Sequence, residues 1–424
     1  MSPVTDGDGA WYDLAALAAA SGETRTDFFA DATFEKVGAS EAAVRALRSL
    51  GIEKPSHVQA LGYKRVLHGH NCLIADRTGS GKTLAYLTPL IQRIHEQETM
   101  RGITGEPGLP LALVLAPTAE LATQVLQSAR ALARGGVPFR SAVITGDYPW
   151  RTQKDALKNG LELLVATPGR LASHLEAGTL QLRNVQTVVV DEIDVLLEDD
   201  DFAPVWAQMR ANVSSSTNFV FVTATLPKPT EELLRAEFPG LKVEKGPGLH
   251  MAVPGVRHVL VECGGANAEV TLVFYFRLFV FFRFRFSCFA TRTLVFCNSI
   301  ENCRAVENHL ERRERRREAY RVLAYHAALS PQKRRAHLEE FVDLQNLVLV
   351  ATDRASRGID FSCSEHVILF DFPRRGDEWL RRVGRVGRGA QGGGLVTSLV
   401  LPYQAMRARK MLYKTLGQEK LWIG

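Results

Sequence analysis

The chain has 424 residues, 46% of them apolar and 23% charged, with a net charge of +6 at pH 7. That length exceeds what one apolar core usually organises, so two domains of about 200 residues are expected, and the ordinary charged and apolar fractions exclude a disordered chain. Six cysteines without a Cys-x-x-Cys pair argue against a disulfide scaffold and a zinc site, and the mild basic excess suits a phosphate-rich partner.

The first nine residues are polar and acidic, without the positive stretch and apolar core of a secretory signal. No transit peptide is legible in residues 1–33, and 14–20 reads as a short helix. The apolar run 71–75 then leads into Asp76-Arg77-Thr78-Gly79-Ser80-Gly81-Lys82-Thr83, followed by a helical pattern over 84–91. Strand, glycine turn, Lys-Thr and helix make a phosphate cradle. Gly79 and Gly81 let backbone N–H groups turn toward phosphate oxygens, and the helix adds its positive end. Lys82 can reach the β- and γ-phosphates, and Thr83 can offer its hydroxyl to Mg²⁺. Asp76 stands where a P-loop ordinarily has its first glycine.

Strands are expected over 112–115, 139–145, 161–166, 187–190 and 218–223, with helices over 119–133, 169–176 and 230–238. This alternation predicts an α/β fold with a mostly parallel sheet. Val188-Val189-Val190 runs directly into Asp191-Glu192-Ile193-Asp194. Carboxylates at the C-terminal end of a strand in such a sheet sit where ligands bind. Asp191 is placed to hold Mg²⁺ and Glu192 to orient and deprotonate an attacking water.

A Gly/Pro-rich stretch marks a linker over 247–256, separating a first domain over 34–246 from a second over 257–424. The second domain repeats the pattern, with strands over 293–296, 321–325, 347–351, 366–370 and 394–401, but it has no P-loop. Cys72, Cys297 and Cys363 lie in or beside apolar segments and read as buried thiols of an intracellular protein. Residues 270–290 fit neither pattern, because eight phenylalanines are interrupted by Arg277, Arg283 and Arg285. An aberrant insert, a divergent helix and a membrane or partner contact are the three readings of that segment. The basic run 312–317 reads as a solvated helix end, with RNA contact as the alternative.

From residue 34 to near the C-terminus the chain resembles the DEAD-box RNA helicases of superfamily 2. The segments carrying the resemblance are the P-loop, Asp191–Asp194, the nine-residue motif 51–59, Pro117-Thr118-Ala119-Glu120-Leu121, Thr145-Gly146, Thr167-Pro168-Gly169-Arg170 and Thr223-Ala224-Thr225. Further on come 295–299, Gln332 and Arg335, 351–360, and Arg381-Arg382-Val383-Gly384-Arg385-Val386-Gly387-Arg388. The resemblance implies two tandem RecA-like domains and an ATP-dependent RNA helicase. ATP would be bound by Phe34, stacking on the base, by Gln59, reading its edge, and by Thr78, Gly79, Ser80, Gly81, Lys82 and Thr83, with Gly358 and Asp360 from the second domain. Lys82, Asp191, Glu192, Arg385 and Arg388 would be catalytic, the two arginines acting on the γ-phosphate. Pro117, Thr118, Gly146, Thr167, Pro168, Gly169, Arg170, Gln332, Arg335, Thr352 and Arg357 would contact RNA at phosphates and 2′-hydroxyls. Asp194, Thr223 and Thr225 would couple the two sites.

The departures are Ala119, where the family carries arginine, Asp147 in place of a second glycine, Ile193 for alanine, Thr223 for serine and Arg381 for histidine. The resemblance further implies a monomer that binds no membrane and a plant or algal organellar branch. Ribosomal RNA and its assembling proteins would be its partners, and cytoplasm or nucleolus the other locations. Two rivals are an ATP-gated RNA clamp with little turnover and a DNA translocase of the same superfamily.

Overall fold

The computed structural model describes residues 4–5, 10–13, 28–253, 255–263, 292–313, 320–353, 364–386 and 393–415. The predicted helix at 14–20, the phenylalanine-rich segment 270–290, most of the basic run, Arg357, Gly358, Asp360, Cys363 and Arg388 lie outside them. The chain forms two compact units, with the break between Leu249 and His250.

Two short strands near the N-terminus, β1 (Val4–Thr5) and β2 (Ala10–Asp13), belong to the second unit. Neither strand was expected from the sequence. Nothing local marks them as strands, since their place is set by a sheet edge far along the chain.

In the first unit, β3 (Cys72–Ala75), β4 (Ala112–Leu115), β5 (Ser141–Ile144), β6 (Leu163–Ala166), β7 (Thr187–Val190), β8 (Asn218–Thr223) and β9 (Lys242–Lys245) form a seven-stranded sheet. The order is β5-β6-β4-β7-β8-β3-β9, and every pairing is parallel. Strands β3, β4, β6, β7 and β8 are buried at every residue. Helices cover both faces of such a sheet, so these strands are continuous apolar runs. Alternate residues divide between two cores: Ile74, Val114, Val189 and Val220 lie in one, and Leu73, Leu113, Val188 and Phe221 in the other. The edge strand β9 reads Lys-Val-Glu-Lys and lacks the apolar run that would predict it.

The second unit contains β10 (Arg257–Glu262), β11 (Arg292–Cys297), β12 (Arg321–Tyr325), β13 (Leu347–Thr352), β14 (His366–Leu369) and β15 (Leu395–Val400). Its sheet runs β1-β2-β10-β15-β14-β11-β13-β12. The six main strands are parallel, and β2 joins β10 antiparallel, with Leu260 opposite Tyr12. Strand β10 was not predicted, because the Gly/Pro-rich stretch beside it obscures its short apolar core. Cys72, Cys263, Cys297 and Cys303 are buried and free. No helix among the described residues is long and apolar enough to cross a membrane.

His258 on β10 is 2% exposed, its ring 5.5 Å from that of Trp379, and neither ring nitrogen has a hydrogen-bond partner. Burial pushes it down to about 4 from an ordinary 6.5. A neutral imidazole buried in this way makes the unfolded chain the better proton acceptor. The native state is therefore unpenalised above pH 6.5 and loses stability as pH falls toward 4, by about 3 kcal/mol for this group. Calorimetric melting between pH 7.5 and 5 should show the loss, and His258→Leu should flatten it. An equal acid slope in that variant would assign the effect elsewhere.

Candidate active site

Because all seven strands of the first unit are parallel, the loops leaving their C-terminal ends share one edge of the sheet. The loop after β3 is the phosphate cradle. Gly81 has φ 92° and starts the helix Lys82–Arg101 with no side-chain cap, leaving the N–H groups of the first turn for an anion. Lys82 Nζ donates to the carbonyls of Asp76 and Arg77, at 2.7 and 2.8 Å, and so lies along the loop it serves.

Asp76 is accommodated by residues far along the chain. It is buried, its Oδ1 accepts the Arg77 N–H at 2.8 Å, and the Gly246-Pro247-Gly248 backbone passes against it. A Cβ on Gly246 would lie 2.4 Å from Asp76 Cγ, and one on Gly248 would lie 2.6 Å from Arg77 Nη1. The room usually supplied by a glycine inside the loop comes here from two glycines outside it.

The segment 51–59 is spliced to the same loop. Ser56 caps the helix His57–Leu67, accepting the Gln59 N–H while its own N–H donates to Gln59 Oε1 at 2.9 Å. Ser56 Oγ donates to the Ser80 carbonyl at 2.7 Å, and Gln59 Nε2 donates to the Gly81 carbonyl at 3.3 Å. Both ends of the Gln59 carboxamide are engaged by protein, so here it latches the helix to the cradle. Phe34 is 3% exposed and packed in the apolar core with Val37 and Val44. Val37 and Val44 belong to the same buried cluster, so the core holds the Phe34 side chain in place at this end of the unit.

Strand β7 delivers the carboxylates. Asp191 is 5% exposed, accepts the Glu192 N–H at Oδ1 (2.9 Å) and receives the Tyr86 hydroxyl at Oδ2 (2.8 Å). Burial holds its carboxyl above the usual range, while the Tyr86 hydroxyl, Lys82 and the Glu192 N–H favour the charged form. Glu192 turns in the left-handed region, φ 49° and ψ 49°, a strained position for a side-chain-bearing residue. After β8, Thr223 Oγ1 donates to the Thr225 carbonyl, and Thr225 Oγ1 donates to Asp194 Oδ2, each at 2.5 Å. The predicted coupling residues thus form one buried chain between two strand ends. Tyr86 was missed by sequence reading. Its spacing four residues after Lys82, on the helical face turned to the sheet, is the signal that could have found it.

The remaining strand ends carry the predicted nucleic-acid segments. Thr118 caps the helix Ala119–Arg134 after β4, accepting the Leu121 N–H at 3.2 Å, and Pro117 beside it is half-buried. Gly146 and Asp147 are exposed after β5. Thr167, Pro168, Gly169 and Arg170 open the helix Pro168–Glu176 after β6. The edge is therefore divided. The ends of β5, β6 and β4 carry backbone turns and an arginine suited to a phosphodiester chain, and those of β7, β8 and β3 carry the cradle and the acids.

In the second unit, Ser330 caps the helix Pro331–Asp343, whose first turns present Gln332 and Arg335 on an exposed face. Thr352 ends β13 and is buried. Arg382 is 1% exposed and pairs bidentately with Asp353, while also donating to Asn298 Oδ1 at 2.6 Å and the Asp371 carbonyl at 2.7 Å. It fastens the segment containing Arg385, itself 5% exposed, to the ends of β11 and β13.

The DEAD/DEAH box helicase model matches residues 56–233, and the helicase conserved C-terminal domain model matches residues 287–390. The chain belongs to the DEAD/DEAH box helicase family. It is 42% identical to DEAD-box ATP-dependent RNA helicase 50 of Arabidopsis thaliana over 394 residues, covering 91% of this chain and 50% of that one. It thus spans half the length of that relative. DEAD-box ATP-dependent RNA helicase 20 of the same plant is 30% identical over 365 residues, 85% of this chain and 68% of its own. In fold the chain is similar to S. cerevisiae Dbp5 bound to RNA and ADP BeF3, with a TM-score of 0.75, 19% identity, and coverage of 92% and 94% of the two chains. The two sheets are those of two RecA-like domains, as expected from the sequence.

Proposed function

We propose that this helicase-family chain is an RNA-dependent ATPase that binds single-stranded RNA and separates short duplexes locally. The observation that carries the reading is the divided sheet edge, which sets a phosphate cradle and buried acids beside nucleic-acid segments on neighbouring strands of one rigid sheet. The relatives' names and the RNA and nucleotide of the Dbp5 structure support it. Lys82 and the N–H groups of the cradle bind the β- and γ-phosphates. Glu192 orients water and takes its proton. The buried chain Thr223–Thr225–Asp194 ties the loop after β8 to the acids after β7, so that the two move together.

The hard oxygens of Thr83 and Asp191, the latter a buried carboxylate anchored by two donors, fit Mg²⁺. When bound, Mg²⁺ neutralises charge on the phosphates. Tyr86→Phe removes one anchor of Asp191. It should raise the Mg²⁺ concentration for half-maximal turnover about tenfold, the effect of one hydrogen bond to a charged group. ATP binding measured in EDTA should be unchanged. Identical Mg²⁺ dependence would show that the Glu192 N–H alone positions the carboxylate.

Steady-state ATP hydrolysis with RNA, with DNA and with neither tests the proposal. Stimulation by RNA supports it, and equal stimulation by DNA favours a translocase. The exposed carboxylate of Asp147 among the RNA segments favours a second reading, a clamp that closes on ATP and turns over slowly. Strand displacement on a short RNA duplex separates the two. Crosslinking to cellular RNA and sequencing the bound fragments tests whether the target is ribosomal RNA, the class suggested by the organellar resemblance.

A further inference from the structure

We propose that Trp150 is a positioning residue of the nucleic-acid edge, holding the Arg170 guanidinium in place to grip a backbone phosphate. The proposal rests on the RNA-binding reading above. Arg170 Nη2 donates to the exposed Gly146 carbonyl at 3.3 Å, and the guanidinium carbon lies over the Trp150 ring, 5.6 Å from its centroid. That ring is fixed from two sides of the sequence. Trp150 begins the helix Trp150–Lys158, where Gln153, 2% exposed, donates through Nε2 to the Thr145 and Tyr148 carbonyls at 3.1 and 2.6 Å. The helix is thereby tied to the loop that carries Gly146 and Asp147.

The indole also stacks on His174, with centroids 3.9 Å apart and planes 11° apart. His174 is fully buried and lies one turn beyond Arg170 on the same helix, so the two side chains meet one ring from one helix face. Its Nδ1 is 2.8 Å from Thr179 Oγ1. Burial first, then Arg170, push its imidazole down to about 4, so at neutral pH the stack carries no charge to repel the guanidinium.

An arginine that moves freely before binding loses side-chain freedom when it grips a phosphate. Arg170 has lost much of that freedom already, against the indole and the Gly146 carbonyl. One N–H of its planar fork is committed to that carbonyl, and the fork offers others to a phosphodiester. The ring thus preorganises a phosphate contact between the loops after β5 and β6, and the ligand class is a single-stranded phosphodiester backbone.

The test uses the full chain with a non-hydrolysable ATP analogue. Anisotropy of a fluorescein-labelled oligouridine is read from 50 to 300 mM KCl, with melting temperature measured for each variant. Arg170→Ala is the benchmark. It should weaken binding about tenfold and lower the salt slope by about 0.7, the loss of one single-strand phosphate contact. Trp150→Leu keeps apolar cover over His174 but has no π face. It should weaken binding about fivefold, the size of an exposed cation–π contact, with a lowered salt slope. Trp150→Phe should restore most of the loss, and the double variant Trp150→Leu/Arg170→Ala should be no worse than Arg170→Ala.

Wild-type binding by Trp150→Leu would overturn the proposal. So would a loss with unchanged salt slope that adds to that of Arg170→Ala, because Trp150 would then be stacking on a base itself. Unaltered RNA binding by Arg170→Ala would instead refute the RNA reading of this edge, and is distinguishable from both.

Discussion

Lys82→Ala should abolish ATP binding while leaving the fold intact. The ammonium is the cradle's charged donor, and two charge-assisted hydrogen bonds to phosphate are worth about 3–6 kcal/mol, or about 10²–10⁴-fold in affinity. In the free protein the same ammonium donates to the Asp76 and Arg77 carbonyls. These belong to a half-buried loop that water can reach, so their loss should cost little stability. Titration with a fluorescent ATP analogue, alongside a melting curve, checks both halves. Retained affinity would remove the phosphate role from this loop. Lost affinity with a collapsed melting temperature would make the lysine a structural brace.

Glu192→Gln should separate binding from chemistry. Glutamine keeps the length of the side chain and tolerates the left-handed backbone at this position as glutamate does, so the strand end should not rearrange. What disappears is the proton acceptor, and removal of a general base slows turnover by about 10²–10⁴-fold. ATP affinity should stay at the wild-type level, and a complex with ATP and RNA should persist long enough to isolate by gel filtration. Weakened ATP binding would show that the Glu192 side chain supports the site rather than acting on water. Undiminished turnover would pass the base role to another group.

Legibility from sequence followed the range of the interaction involved. The cradle was readable because two glycines, a lysine and a threonine lie within six residues, flanked by the strand and helix that the chemistry needs. The acids after β7 were readable for the same reason. The strands buried on both faces announced themselves as apolar runs, whereas β9 and β10 did not. One is a polar edge, and the other adjoins a stretch that reads as linker.

Contacts between distant segments were invisible. No local pattern links Asp76 with Gly246 and Gly248, or shows that Gln59 reaches the Gly81 carbonyl. Tyr86 and Trp150 were overlooked because an aromatic residue on a helix is ordinarily core. Only the third dimension shows a hydroxyl aimed at Asp191 and a ring under Arg170.

The N-terminal strands bear on where this chain can be cut. The first recognisable motif begins at residue 34, and a truncation placed there would look harmless on the sequence. It would remove β2 and leave Val259, Leu260 and Val261 of β10 without their antiparallel partners. The exposed row of unpaired amide and carbonyl groups would then be a template for another chain. A fragment trimmed for tidiness would carry a sticky margin on its second domain, and poor behaviour in solution would report the missing strands rather than a weak fold.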